Sequence, residues 1–196
     1  MSEAKLARVL DAIDKANAAD PKTEVDEAGE AKPEALLYGE RMSSELERLF
    51  GQTVSDVLQI AARGQHIERW TLLRSDYPEG RAGYLAWRRD QGRAHGDRLA
   101  GLMQDAGYDA QSCARVGVLL RKEGIKRDHE VQMLEDVICF VFLKWYFADF
   151  AAKHAEDKVL DIVAKTARKM SGESRARVLA EFELPEPLVN AVRKAA

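Results

Sequence analysis

The sequence lacks most of the features that would announce a function at once. It holds two cysteines, Cys113 and Cys139, both in apolar surroundings and with no CxxC pair. That usage argues against a zinc ribbon or a structural disulfide and fits a reducing compartment. Long apolar runs are absent too. The longest, residues 137–143, spans seven residues, whereas a membrane span needs about 18 or more. The N-terminal MSEAKLARVLDAIDKAN is amphipathic and carries acids where a signal peptide would have an apolar core. Together these absences predict a cytoplasmic protein. Neither sign of charge prevails: 30 Lys and Arg face 33 Asp and Glu, a net charge of −3. No global basic field therefore argues for nucleic acid. There is no P-loop, GxGxxG, HExxH or GxSxG, and no Ser or Cys beside a base from which a triad could be argued. No alternating apolar–polar stretch of four or more residues reads as a strand, and no internal repeat is present.

What remains is 196 residues with 46% hydrophobic and 32% charged side chains, enough to bury the core of one helical domain. We read a single all-α domain over residues 1–196 with about eight helices. Leu6, Val9, Leu10 and Ile13 recur at helical spacing, and the helix they define ends near Asn17. Residues 18–33 hold Gly, two prolines and many acids, and read as an acidic loop. A second helix covers about 33–50, closed by Gly51. Thr53 or Ser55 opens a third, with Asp56 in its first turn, running to about Trp70. A loop over 71–83 precedes helices near 84–106 and 110–123, closed by Gly107 and Gly124. The segment 128–154 is the most apolar helix, and three more follow near 155–170, 173–181 and 187–194.

A few polar residues occupy apolar helices. His95 shares a helix face with Leu99 and Leu102, and His66 follows the small residues Ala61, Ala62 and Gly64. A histidine in such a place is usually a hydrogen-bonded interior residue. Asp136 opens the run LEDVICFVFLKWYF. A carboxylate at the mouth of a buried helix costs several kcal/mol unless it is paired, hydrogen-bonded or on a metal. Either an ion pair or a ligand role would place it there. Glu40 borders the apolar face of the second helix. Residues 63–98 contain eight arginines, no lysine and five acids. Arginine favours bidentate contact with phosphate or carboxylate, so the cluster points to an anionic ligand, with a solvated helix face as its plainer explanation. Lys122 and Lys126 extend the cluster.

At these residues the sequence resembles a bacterial and fungal domain-of-unknown-function family, number 4202. The matching stretches are LLYGERM, AARGQHIERW, YPEGRAGYLAWR, AHGDRLAGLMQDAGYD, VGVLLRKEGIK and LEDVICFVFLKWYFADFAAKH, which together cover nearly the whole chain. At the level of helical pattern the chain is also similar to the HD superfamily of metal-dependent phosphohydrolases and oxygenases. That similarity sets Glu40 at the family's first His, Gln65-His66 at its His-Asp pair, Asp136 at its final Asp, and His95 at the extra histidine of some members. Gln65-His66 departs from the namesake dyad, as Glu40 does from the first His.

What the HD-like pattern implies is a divalent metal of unassigned identity held by Glu40, His66, His95 and Asp136, a shell suited to a borderline or hard cation. It would activate water for a metal-dependent hydrolase acting on a small phosphorylated or otherwise anionic substrate. Arg74, Arg81 and Lys122 would hold the anion, and Glu68 would act as general base or orient the ligands. The alternative is a metal-free helical module that binds the same kind of anion. A third reading makes the aromatic stretch 140–150 a homodimer surface. Nucleic acid and membrane are not expected partners.

Overall fold

The helical periodicities of the sequence fold as expected, and the departures fall at glycines and tight turns. In the computed structural model, which describes residues 2–51 and 54–195, the chain divides into two compact units, Met1–Glu123 and Gly124–Ala196. The described residues form ten α-helices and one two-stranded sheet, an all-α protein. No helix among them is long and apolar enough to cross a membrane.

The first unit opens with α1 (Ser2–Asn17), whose Val9 and Ile13 are buried. Within the expected acidic loop, β1 (Thr23–Val25) and β2 (Ala31–Pro33) pair antiparallel. Each strand has three residues, too few to show an alternating pattern. The turn is set by Asp26, whose Oδ1 accepts from the backbone of Ala28 and Glu30, with Gly29 at φ 85°. α2 (Glu34–Phe50) follows, ended by Gly51 at φ 76°. Its buried Arg41 holds Glu24 and Glu27 of the hairpin.

α3 (Asp56–Arg63) is capped by Ser55, which accepts from Leu58 N; Thr53 lies outside the described residues. The helix expected to reach Trp70 stops at Arg63. Gly64 lies against the Leu99 side chain, where a Cβ would come within 2.4 Å, and Glu68 adopts a left-handed φ of 49°. The chain then makes short 3₁₀ turns at Arg69–Thr71 and Arg74–Asp76. α4 (Gly80–Asp105) starts four residues before the expected Tyr84, because Gly83 lets the first turn close onto the Pro78 carbonyl, where a Cβ would sit at 1.8 Å. α5 (Ala110–Leu120), capped by Asp109, returns beside α4. A Cβ on Gly96 would lie 3.1 Å from Gly117 Cα, so the two backbones are in near contact.

In the second unit Asp128 caps α6 (His129–Val141) by accepting from Val131 N. The single helix expected over 128–154 is interrupted by a π turn at Phe142–Tyr146 before α7 (Phe147–Ala152). There Phe142 packs edge-on to Phe147 and Phe150, and the backbone opens at Tyr146 to φ −117°. α8 (Glu156–Lys169), α9 (Gly172–Glu181) and α10 (Glu186–Arg193) complete the unit. Val159, Val163, Ala167, Leu188 and Val192 form one of its apolar clusters. In the stretch 140–150 proposed as a dimer surface, Phe140, Val141 and Leu143 are interior, and Trp145, Tyr146, Phe147 and Phe150 are half-buried.

Candidate functional site

The most unusual electrostatics of the first unit gather where the turn after α3 meets α2 and α4. His66 leaves α3 in the Gly64–Glu68 turn and stacks on Tyr38 of α2, with ring centroids 3.8 Å apart and planes 18° apart. His95 of α4 stands next to it, the centroids 6.3 Å apart. Burial first, then Arg69, His95, Lys122 and Arg88, hold the His66 pKa well below its ordinary 6.5. Burial first, then Arg69, push His95 down to about 4, against the opposing pull of a hydrogen bond to the Gln65 backbone carbonyl. Both imidazoles are therefore neutral at pH 7. His95 is only 4% exposed. Its buried Nε2 has no hydrogen-bond partner.

Arg69 is the centre of this field. Its guanidinium lies on the Trp87 ring, 4.7 Å from the centroid. Burial works most against its charge; Tyr38 acts to keep it, Arg88 adds repulsion, and Tyr84 and Glu34 act in the same sense as Tyr38. No ion pair joins Arg69 to a carboxylate among the described residues. α4 holds the segment in place: Gln91 Nε2 donates to the carbonyls of Arg69 at 3.0 Å and Leu72 at 2.9 Å, and Trp87 Nε1 donates to Leu72 O at 3.0 Å. Trp87 and Gln91 are one helical turn apart, so a single face of α4 sets both the backbone and the guanidinium of Arg69.

The expected site residues distribute as follows. His66, His95 and Lys122 converge, Lys122 at φ 58° just after α5. Glu40 is paired with Lys32 at 3.2 Å, and Lys32 also reaches Asp26. Glu68 faces Arg98, whose Nε and Nη2 reach its two oxygens at 3.0 and 3.2 Å. Arg74 braces its own loop, donating to the carbonyls of Tyr77 and Pro78 at 3.0 Å. Arg81 is exposed in the first turn of α4. Asp136 belongs to the second unit, where it is 2% exposed and accepts from Gln132 Nε2 at 3.0 Å and Ser171 N at 2.8 Å.

Of the four residues expected to share a metal, His66 and His95 lie side by side, Glu40 is held by Lys32, and Asp136 belongs to the second unit. Among the described residues no group of three or more His, Cys, Asp or Glu comes together in a way that could hold a metal ion. The charges that act on His66 are cationic, which opposes a divalent cation. Arg69 and Arg88 belong to the arginine cluster of residues 63–98 expected to meet an anion, though neither was among the residues expected to hold it; Trp87 and Gln91 were not expected from sequence. The signal available for Arg69 is its place five residues after Gly64, where a helix has reason to stop.

No curated protein and no solved structure matches the chain, so the HD-like pattern draws no support from comparison. The model of one family does match, over residues 7–192. That span takes in both units and every stretch quoted above for the resemblance, and by it the chain belongs to the family described as a domain of unknown function, DUF4202.

Proposed function

We propose that the first unit binds a small phosphorylated or otherwise anionic ligand at Arg69, with Arg88 and Lys122 adding positive potential and the neutral His66 and His95 beneath. One observation carries this reading: the half-buried guanidinium of Arg69 makes no ion pair with a carboxylate among the described residues, although the chain has more acids than bases. A partly desolvated cation without a counter-ion carries part of the cost of a buried one, and a guanidinium offers five N–H donors suited to phosphate or carboxylate. An anion would relieve that cost, and the same cations that keep His66 neutral would face it. Of the two functions expected from sequence, the metal-free binding module fits better than the metal-dependent hydrolase. The hydrolase would need ligands that are instead paired with Lys32 or hydrogen-bonded to Ser171.

The test is thermal unfolding with and without inorganic phosphate, in chelated buffer. A ligand at about 100 times its Kd adds about 2.7 kcal/mol to stability, so a rising midpoint that saturates with phosphate is expected. Arg69→Gln should abolish the rise. No saturable effect in the parent protein, or an unchanged one in Arg69→Gln, would refute the proposal. Metal content by inductively coupled plasma mass spectrometry decides the competing reading: about one divalent ion per chain, lost in His66→Ala, would restore the hydrolase.

A further inference from the structure

Next to Arg69 the surface changes from cationic to aromatic. Tyr84, one turn before Arg88 on α4, keeps 42% of its surface exposed, and Leu85 beside it keeps 53%. The Tyr84 ring lies 6.0 Å from Trp87, whose face already carries Arg69. Arg88 sits over Tyr84 with its guanidinium carbon 5.9 Å from the ring centroid, and Nη1 reaches the phenolic oxygen at 3.4 Å. Arg69, Trp87, Tyr84 and Arg88 thus form one continuous run of alternating guanidinium and aromatic groups. Its inner end is a half-buried guanidinium that makes no ion pair among the described residues, and its outer end is an exposed ring.

We infer that the anion held at Arg69 carries a planar aromatic ring, which stacks on Tyr84 beneath or beside Arg88. The inference rests on the anion site proposed above and names the class of its ligand: an aryl or heteroaryl phosphate or carboxylate. A plain inorganic ion would use Arg69 and leave Tyr84 in water. An aliphatic phosphate would gain little from it, because the stacking of a flat π system on tyrosine and arginine is what such a surface offers. The spacing suits a small molecule, since Arg69 and Tyr84 are both within one ring of Trp87.

The experiment is calorimetric titration of the full chain with matched pairs: phenyl phosphate against methyl phosphate, and a nucleoside monophosphate against ribose 5-phosphate. A ring that stacks on tyrosine should improve affinity about tenfold over its ringless partner. In Tyr84→Ala that preference should collapse to near one, and in Tyr84→Phe it should return. If only the nucleotide pair shows the preference, the ring is a nucleobase; if both pairs do, a simple aryl group suffices. Equal affinity within both pairs while methyl phosphate still binds would overturn the aromatic requirement and leave the anion site standing. Failure of all four to bind would overturn both. An oligonucleotide binding more than tenfold more tightly than its mononucleotide would overturn the small-molecule form.

Discussion

Gln91 fixes Arg69 from behind: its side-chain amide donates to the Arg69 carbonyl at 3.0 Å and, from the same nitrogen, to the Leu72 carbonyl at 2.9 Å. Gln91 is buried and sits one turn from Trp87, on which the Arg69 guanidinium rests. The segment between α3 and α4 has only a short 3₁₀ turn of its own at this point. These bonds therefore set where the guanidinium lies.

Gln91→Met keeps the volume and removes both donations. The Leu72 carbonyl keeps its bond from Trp87 Nε1, so the Arg69 carbonyl is the one left without its donor, at a cost of about 1–3 kcal/mol, and urea unfolding should show a loss of that order. Phosphate affinity should fall as well, although Gln91 reaches the site only through the backbone of Arg69. A variant with full stability and full phosphate affinity would show that the segment is positioned by something else.

The sequence was most legible where one local signal determined the outcome. Apolar spacing located α1, α2, α5 and α8 to within a few residues, and Ser55 and Gly51 act as the expected caps. It was least legible where a contact distant in sequence decides. The end of α3 depends on Leu99 filling the space beside Gly64, and no periodicity in residues 56–70 contains that fact. The same holds for the site. His66 and His95 stand out as polar residues on apolar faces and do meet. Arg69 stands out only once Trp87 and Gln91, about twenty residues later, are seen to hold it. The partners of Glu40 and Asp136, Lys32 and the Ser171 amide, are equally invisible in a linear reading.

Asp136 should behave as a structural residue of the second unit. Its carboxylate accepts from Ser171 N, the residue whose own hydroxyl caps α9 by accepting from Ser174 N. It therefore ties α6 to the start of α9. Asp136→Ala should lower stability by about 1–3 kcal/mol, the cost of orphaning a buried donor, while phosphate affinity at Arg69 is kept. Asp136→Asn, which retains an acceptor, should recover part of the loss. Chemical denaturation and titration of the same preparations check both halves. A selective loss of phosphate binding with stability intact would return Asp136 to the functional site.

The buried histidines make acid stability diagnostic. His95 titrates at about 4 in the folded chain against an ordinary 6.5, and the His66 pKa is lowered in the same direction. Between those values the unfolded chain takes up protons that the native chain does not. Lowering the pH therefore favours unfolding, with no contribution above pH 6.5 and the full penalty in place once the pH passes the folded value. Each such histidine adds a slope of about 1.4 kcal/mol per pH unit across the window. Unfolding free energy measured in urea from pH 7 to pH 4.5 should fall accordingly. In His95→Gln the decline should be shallower by one histidine's share, because glutamine cannot take up a proton in either state. A bound anion should flatten the parent curve too, since negative charge at Arg69 offsets the cations that oppose protonation of His66. Parallel curves for parent and His95→Gln would mean that His95 is free to ionise in the native state, and that the neutral pair beneath Arg69 is not there.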